Sequence, residues 1–121
     1  MTAVVGALLA VGLASAPAWA QARGDARLGA DLYTEKCVLC HGAEGAGWDW
    51  SKKADKPPVP VPDLATIAAE RTDVFLFDVV KGGGEAVGRT RFMPPFGFQL
   101  SDEEIWHLVA YVRSLERDAK R

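Results

Sequence analysis

The chain has 121 residues, a formal net charge of −2 at pH 7 and 25% charged residues. This length allows one domain. The mild acidity argues against a nucleic-acid-binding protein, which would show a basic excess.

The first 22 residues carry no charged side chain, and most of them are apolar. The apolar run closes on Ala18-Trp19-Ala20, the small-x-small pattern that a signal peptidase recognises. We therefore predict a signal peptide at residues 1–20 and one exported domain at residues 21–121. The alternative is a retained membrane anchor, because the segment nearly spans a bilayer. Either reading predicts a domain in the periplasm.

The first predicted helix of this domain runs from Gly24 to Lys36. Leu28, Leu32 and Lys36 lie one turn apart, and Asp25 is a suitable N-terminal cap. A glycine at position 29 costs the helix about 1 kcal/mol relative to alanine. Its presence predicts that another helix approaches closely at this point, and the alternative is a tolerated surface glycine.

The next five residues, Cys37-Val38-Leu39-Cys40-His41, form the attachment signature of a c-type haem. Two thiols three positions apart at the end of a helix can reach both vinyl groups of one porphyrin. His41 then lies under the iron as its proximal ligand. A redox dithiol or half of a zinc site would share the two cysteines. The first should follow a strand, and the second needs two more ligands, so covalent haem is the favoured interpretation.

A loop rich in glycine, tryptophan and proline follows the motif. Four prolines in residues 57–62 exclude a helix there and predict an extended structural loop. Four side chains with N–H donors are candidates for binding the haem propionates, namely Trp48, Trp50, Arg89 and Arg91. The alternatives are core packing for the tryptophans and a solvated surface position for the arginines.

Two helices are predicted in the middle of the chain. The first is short, spans residues 64–70 and is capped by Asp63. The second spans residues 72–81, with Thr72 as its cap and Gly82 as its stop. The second has almost no polar face, so the sequence predicts that it is largely buried.

The last helix carries the clearest signals. Ser101 and Glu104 form a capping box, and Leu100 with Ile105 forms a hydrophobic staple. From Ile105 an apolar stripe continues along one face, through Leu108, Val109, Val112 and Leu115.

Met93 is the candidate for the distal iron ligand. It is the single methionine beyond the initiator, and the two prolines that follow it stiffen the backbone. The alternatives are that Met93 fills a gap in the core or that His107, inside the last helix, is the ligand instead. Methionine with histidine raises the potential relative to two histidines and fills both axial positions. The pair therefore predicts a one-electron carrier and not an enzyme.

With these residues in place, the chain resembles class I (monohaem) c-type cytochromes over nearly all of residues 25–116. The spacing of Gly29, Tyr33 and Cys37 resembles that family's first helix, and Leu108 with Tyr111 resembles its last helix. The stretch from Met93 into the last helix resembles a short bacterial branch similar to oxidase- and dehydrogenase-associated cytochrome domains.

The resemblance implies an all-α, small cytochrome c fold. Three main helices, a short helix and loops would wrap around one covalently attached haem c. It also implies that the carbonyl of Pro62, in Pro62-Asp63-Leu64, accepts a hydrogen bond from Nδ1 of His41. The implied cofactor-binding residues are then Cys37, Cys40, His41, Met93 and Pro62, with His41 and Met93 on the iron.

The expected function is electron transfer between periplasmic or membrane redox enzymes, a dehydrogenase-type donor and an oxidase- or reductase-type acceptor. Nucleic acid is not an expected partner, and a membrane is one only if the N-terminal segment is retained. One alternative is a dedicated cytochrome subunit of a dehydrogenase or oxidase complex. Two others are a haem sensor or peroxidase with an open iron, and a non-haem redox or metal protein that uses Cys37 and Cys40.

Overall fold

The computed structural model describes residues 23–121, and this part of the chain contains helices and loops without a strand. Its five α-helices are α1 (Ala26–Lys36), α2 (Val38–His41), α3 (Leu64–Glu70), α4 (Asp73–Gly82) and α5 (Asp102–Ala119). Short 3-10 helices occur at Trp50–Lys52 and Gly84–Val87. This architecture confirms the all-α fold that the sequence predicts.

Side chains at the predicted N-caps begin four of these helices. Asp25 and Asp63 each accept a backbone N–H two residues ahead, both at 2.8 Å. Thr72 accepts the N–H of Phe75 at 3.1 Å, and Ser101 accepts that of Glu104 at 3.2 Å. Each bond satisfies a donor that the first turn of a helix leaves without a partner. The local sequence therefore fixes where the helices begin.

The most extensive contact between helices joins α1 to α5. Gly29 is buried where they cross, and a Cβ atom at this position would overlap the carbonyl oxygen of His107. One turn later, the rings of Tyr33 and Tyr111 pack with centroids 4.8 Å apart. Gly29 thus allows the close approach that the sequence predicts, and Tyr33 continues the contact toward the C-terminus of α1.

The core extends from this crossing along the apolar stripe of α5. Ile105, Leu108, Val109 and Val112 are all buried there. One cluster joins the stripe to α1, and the other joins it to α3 and α4 through Ala68 and Leu76. α5 is therefore the central helix against which α1, α3 and α4 pack.

The prediction that the second middle helix is largely buried is wrong in part. Only Leu76 of α4 is buried, and Val74 is 59% exposed. Much of the remaining apolar surface faces a cavity rather than other side chains, through Phe75, Val79 and Val80. The helix also ends one residue later than predicted, because Gly83 and not Gly82 takes the positive φ, +76°, that stops it.

The guanidinium of Arg113 ties α5 to the turn between α3 and α4. It donates to the carbonyl oxygens of Ala68 and Arg71 and forms an ion pair with Asp73 at 2.7 Å. The two carbonyls lie at the end of α3, where backbone acceptors lack intrahelical partners. Arg113 therefore closes one end of the bundle by satisfying them.

Residues 1–20, predicted as a signal peptide or anchor, lie outside the described residues. Within residues 23–121, no helix combines the length and the apolar composition that a bilayer crossing requires.

Replacing Gly29 by alanine tests the helix crossing. Helix propensity alone predicts a gain of about 1 kcal/mol. Because the new methyl group overlaps the His107 carbonyl, we expect instead a net loss of roughly 2 kcal/mol and a melting temperature about 10 °C lower. Thr34→Ala, on the exposed side of α1, is the control and should not lower the melting temperature. A Gly29→Ala protein as stable as the parent would contradict the close crossing.

Candidate haem site

A cavity of about 350 Å³ lies between the helices and the two long loops. This volume falls in the range of about 300–1,000 Å³ that is typical of small-molecule and cofactor sites. Its wall is largely apolar, and α3, α4 and α5 contribute Leu64, Ile67, Phe75, Leu76, Val79, Val80, Leu108, Val109 and Val112. The cavity therefore suits a large, flat, apolar group.

The haem-binding turn, Cys37–His41, lies at one side of this cavity. Cys37 ends α1 by donating its N–H to the Tyr33 carbonyl at 2.8 Å, and its own carbonyl accepts the N–H of His41 at 3.0 Å. Cys37 lines the cavity, whereas Cys40 is exposed and lies outside the lining. Burial raises the pKa of the Cys37 thiol to about 11, so this sulfur is held as a neutral thiol.

His41 turns its ring into the cavity wall. Burial lowers the pKa of its imidazole, because the charged form is desolvated there, and this favours the neutral form that binds metals. Its Nδ1 atom is buried and has no hydrogen-bond partner among the described residues. Leaving such an atom unsatisfied costs about 1–3 kcal/mol. The environment of His41 therefore holds a neutral imidazole at the cavity, which is the form that can bind the iron of a haem.

Pro62 lines the same cavity, but the hydrogen bond expected from its carbonyl to the imidazole is not formed. Nδ1 of His41 has no partner. Pro62 therefore contributes to the wall of the cavity, and its orienting role on His41 stays a prediction.

Met93 reaches the cavity from the loop that follows α4. Its carbonyl accepts the N–H of Gly84 at 2.9 Å. Farther along, Phe96 and Gly97 donate to the carbonyls of Val80 and Lys81 at 2.9 and 3.0 Å. These bonds attach the loop to the end of α4, so the backbone that carries Met93 is held beside the cavity.

The structure thus places Cys37, His41, Pro62 and Met93 around one cavity and leaves Cys40 beside it on the surface. His107, the rival ligand, does not line the cavity. Its Nδ1 atom accepts the N–H of Asp25 at 2.8 Å.

Of the four candidates for binding propionates, only Arg89 lines the cavity. Arg91 lies 5.6 Å from the ring centroid of the exposed Phe92. Trp48 directs its N–H toward backbone carbonyls of the haem-binding turn. The indole N–H of Trp50 donates to no other described residue. A basic side chain at the edge of an apolar cavity is a suitable partner for a carboxylate, so Arg89 alone retains this role.

One residue that belongs to the site was absent from the predicted ligands. The hydroxyl of Tyr33 donates to the carbonyl of Gly42 at 2.6 Å, immediately after the haem-binding turn, and its ring lines the cavity. Burial strongly raises the pKa of this phenol, so the hydroxyl stays protonated and remains a donor. The helical spacing of Gly29, Tyr33 and Cys37 was the signal for its position, but not for this bond.

Taken together, the residues present fit a haem. The cavity is apolar, a neutral imidazole and a thioether line it, and one arginine lies at its edge. Among residues 23–121, no group of three or more His, Cys, Asp and Glu side chains forms a metal site without such a cofactor.

A family model described as cytochrome c oxidase, cbb3-type, subunit III matches residues 24–112. The chain belongs to this family. Among solved structures it is similar to the KustC0563 c-type cytochrome, with 26% sequence identity and a TM-score of 0.54. That similarity covers 73% of this chain and 96% of the other. No curated protein matches the chain.

The protein is accordingly a monohaem class I c-type cytochrome with covalently attached haem c. These findings confirm the fold class and the cofactor that the sequence predicts. Membership of the family also indicates an electron-transfer haem protein.

Removing the attachment points tests how far this cytochrome depends on its haem. At about 24 cal/mol per Å³, a cavity of 350 Å³ corresponds to roughly 8 kcal/mol. This is an upper bound because water can enter the cavity, but it is comparable to the whole stability of a small domain. We therefore expect Cys37→Ser/Cys40→Ser to lack covalent haem and to lose its cooperative thermal transition.

The measurements are haem staining on a denaturing gel and circular dichroism during heating. Leu39→Ala is the matched control, because this side chain lies in the same turn and is 85% exposed. It should retain both the haem and the thermal transition. Covalent haem in the double variant would contradict the assignment of the two attachment points.

Proposed function

We propose that this cytochrome is a one-electron carrier in which His41 and Met93 are the two axial ligands of a haem attached through Cys37 and Cys40. One observation carries the proposal: His41 and Met93 come from distant segments of the chain and line the same apolar cavity. When bound, the haem supplies an iron that alternates between Fe(III) and Fe(II). The remaining steps concern what the protein does to that iron.

The ligand pair determines the kind of chemistry. A neutral imidazole and a thioether stabilise Fe(II) relative to two imidazoles and so raise the potential. With both axial positions filled by protein atoms, peroxide, oxygen or a substrate has no vacant site. The wall around the two ligands is largely apolar, and backbone bonds attach the loop that carries Met93 to the end of α4. The site therefore favours electron transfer over catalysis.

Partners would meet this cytochrome at the haem-binding turn. Leu39 is 85% exposed and Cys40 beside it is also exposed, so the attached edge of a bound haem would lie near the surface. An exposed apolar residue suits brief docking with a redox protein, which typically buries a small interface. The partners proposed are a donor of the dehydrogenase type and an acceptor of the oxidase or reductase type.

A second candidate role is a dedicated cytochrome subunit of one enzyme complex. The observation that favours it is the family description, which names a subunit of a cbb3-type oxidase. Co-purification with one enzyme at constant stoichiometry would support this role, and isolation as a free monomer that reduces several partners would exclude it.

The ligand assignment is tested with visible spectra of the protein produced with haem-maturation machinery. The parent should be low-spin, show a weak far-red methionine–iron band and not bind carbon monoxide when reduced. Met93→Ala should lose that band and bind carbon monoxide, because one axial position opens. Met93→His should stay low-spin but have a lower potential.

Val79→Ala is the control, since Val79 also lines the cavity but offers no ligand atom. It should keep the parent spectrum. An unchanged spectrum in Met93→Ala would mean that another group holds the iron. A parent protein that already binds carbon monoxide would favour a sensor or peroxidase.

The proposed location is the periplasm, with residues 1–20 acting as a cleaved signal. Intact-mass measurement of the protein from a bacterial host that exports and matures cytochromes checks this. We expect a chain that begins at Gln21 and carries one haem. A mature protein that retains residues 1–20 and sediments with membranes would instead support the anchor.

A further inference from the structure

Trp48 contacts the haem-binding turn from outside the cavity. Its indole N–H donates to the carbonyl of Val38 at 2.9 Å and to that of Leu39 at 3.1 Å. These are the two residues between the cysteines, so one side chain bridges two of the three peptide groups of the Cys-x-x-Cys segment. No part of the proposed electron-transfer mechanism requires this contact.

The bonds from Trp48 supply a donor to carbonyl oxygens that the short helix α2 leaves without partners. A helix of four residues is too short for any of its carbonyl oxygens to accept a bond from within the helix. All four therefore need donors from outside it. Gly42 donates to the Val38 carbonyl at 2.9 Å, and Gly47 donates to that of His41 at 2.8 Å. The Leu39 carbonyl receives its bond from Trp48. Without the indole, Leu39 would have only solvent as a partner.

The surrounding chain holds Trp48 in place. Gly42 and Gly47 take positive φ values of 77° and 83°, which lets the intervening loop fold back on the turn. On the outer side, the ammonium of Lys53 lies 4.3 Å from the ring centroid of Trp48, a cation–π contact. The indole is therefore fixed between the turn and a cationic side chain.

The geometry points to Trp48 as a positioning residue for the haem, which fixes the peptide groups between the two thioether links and, through them, the orientation of His41. This inference rests on the proposed function, in which Cys37 and Cys40 carry the haem and His41 binds the iron. Hydrogen bonds around a metal ligand commonly set its orientation and tune the metal. The bonds from Trp48 do not reach His41 itself. They reach the backbone that carries His41.

The decisive variants remove the N–H and keep the ring. Trp48→Phe retains an aromatic ring under Lys53 but has no donor. Incorporation of β-(3-benzothienyl)alanine at position 48 replaces only the indole N–H by sulfur, so packing is conserved and water cannot enter. Trp50→Phe is the matched control, because Trp50 lies in the same loop and its N–H donates to no other described residue.

Two measurements on the holoprotein separate positioning from packing. The first is hydrogen exchange at the amides of Cys40, His41 and Gly42, which bond within the turn. We expect exchange roughly tenfold faster in both position-48 variants, the effect of losing about one hydrogen bond. The second is the midpoint potential, which we expect to fall, because the positive end of the indole dipole near the ligand favours Fe(II). Trp50→Phe should change neither.

Exchange rates and a potential equal to those of the parent in the benzothienyl variant would overturn the inference. So would equal changes in the Trp50→Phe protein. If Trp48→Phe does not accumulate with haem, the benzothienyl variant decides alone, since it preserves the shape of the side chain. The exchange readout does not depend on the distal ligand, so a failure of the Met93 assignment would leave this test intact.

Discussion

The close crossing of α1 and α5 at Gly29 determines where the haem-binding turn lies. Two helical turns separate Gly29 from Cys37, so the depth at which α1 meets α5 sets the depth of the haem-binding turn. Tyr33 lies halfway between them, with its ring on Tyr111 and its hydroxyl on the Gly42 carbonyl. A shift of α1 would therefore move Cys37 at its end, and with it the adjoining helix α2 that carries Cys40 and His41.

The cavity explains why the middle of the chain is so apolar. α4 presents Phe75, Val79 and Val80 to a space that no side chain of the described residues fills. In a domain this small, apolar burial barely exceeds the loss of conformational entropy. A covalently attached haem enlarges the core without adding residues, so the cofactor completes the fold as well as supplying the iron. The same apolar wall lowers the pKa of His41 and keeps it neutral for metal binding.

Local signals in the sequence predicted the local features of this structure. Helix caps, the motif from Cys37 to His41 and the methionine before two prolines each depend on neighbouring residues, so they can be recognised without the fold. The partial exposure of α4 was not predictable, because the sequence pattern of an apolar helix is the same whether the helix packs against side chains or against a cofactor. The direction of the Trp48 N–H was not predictable either, since it depends on how a loop folds back over three glycines.

The arrangement around α2 favours a rigid turn. An electron carrier works best when its ligands keep the same geometry in both oxidation states, because each change of geometry adds to the barrier. The carbonyls of α2 and of the following residue bond to Gly42, Gly47, Trp48 and Tyr33. Three of these donors lie within one short loop, so the loop and the haem-binding turn behave as a single structural unit. The side chain of Leu39 stays free on the outer face of that unit. The turn can therefore be rigid in its backbone and still offer an apolar contact to a redox partner.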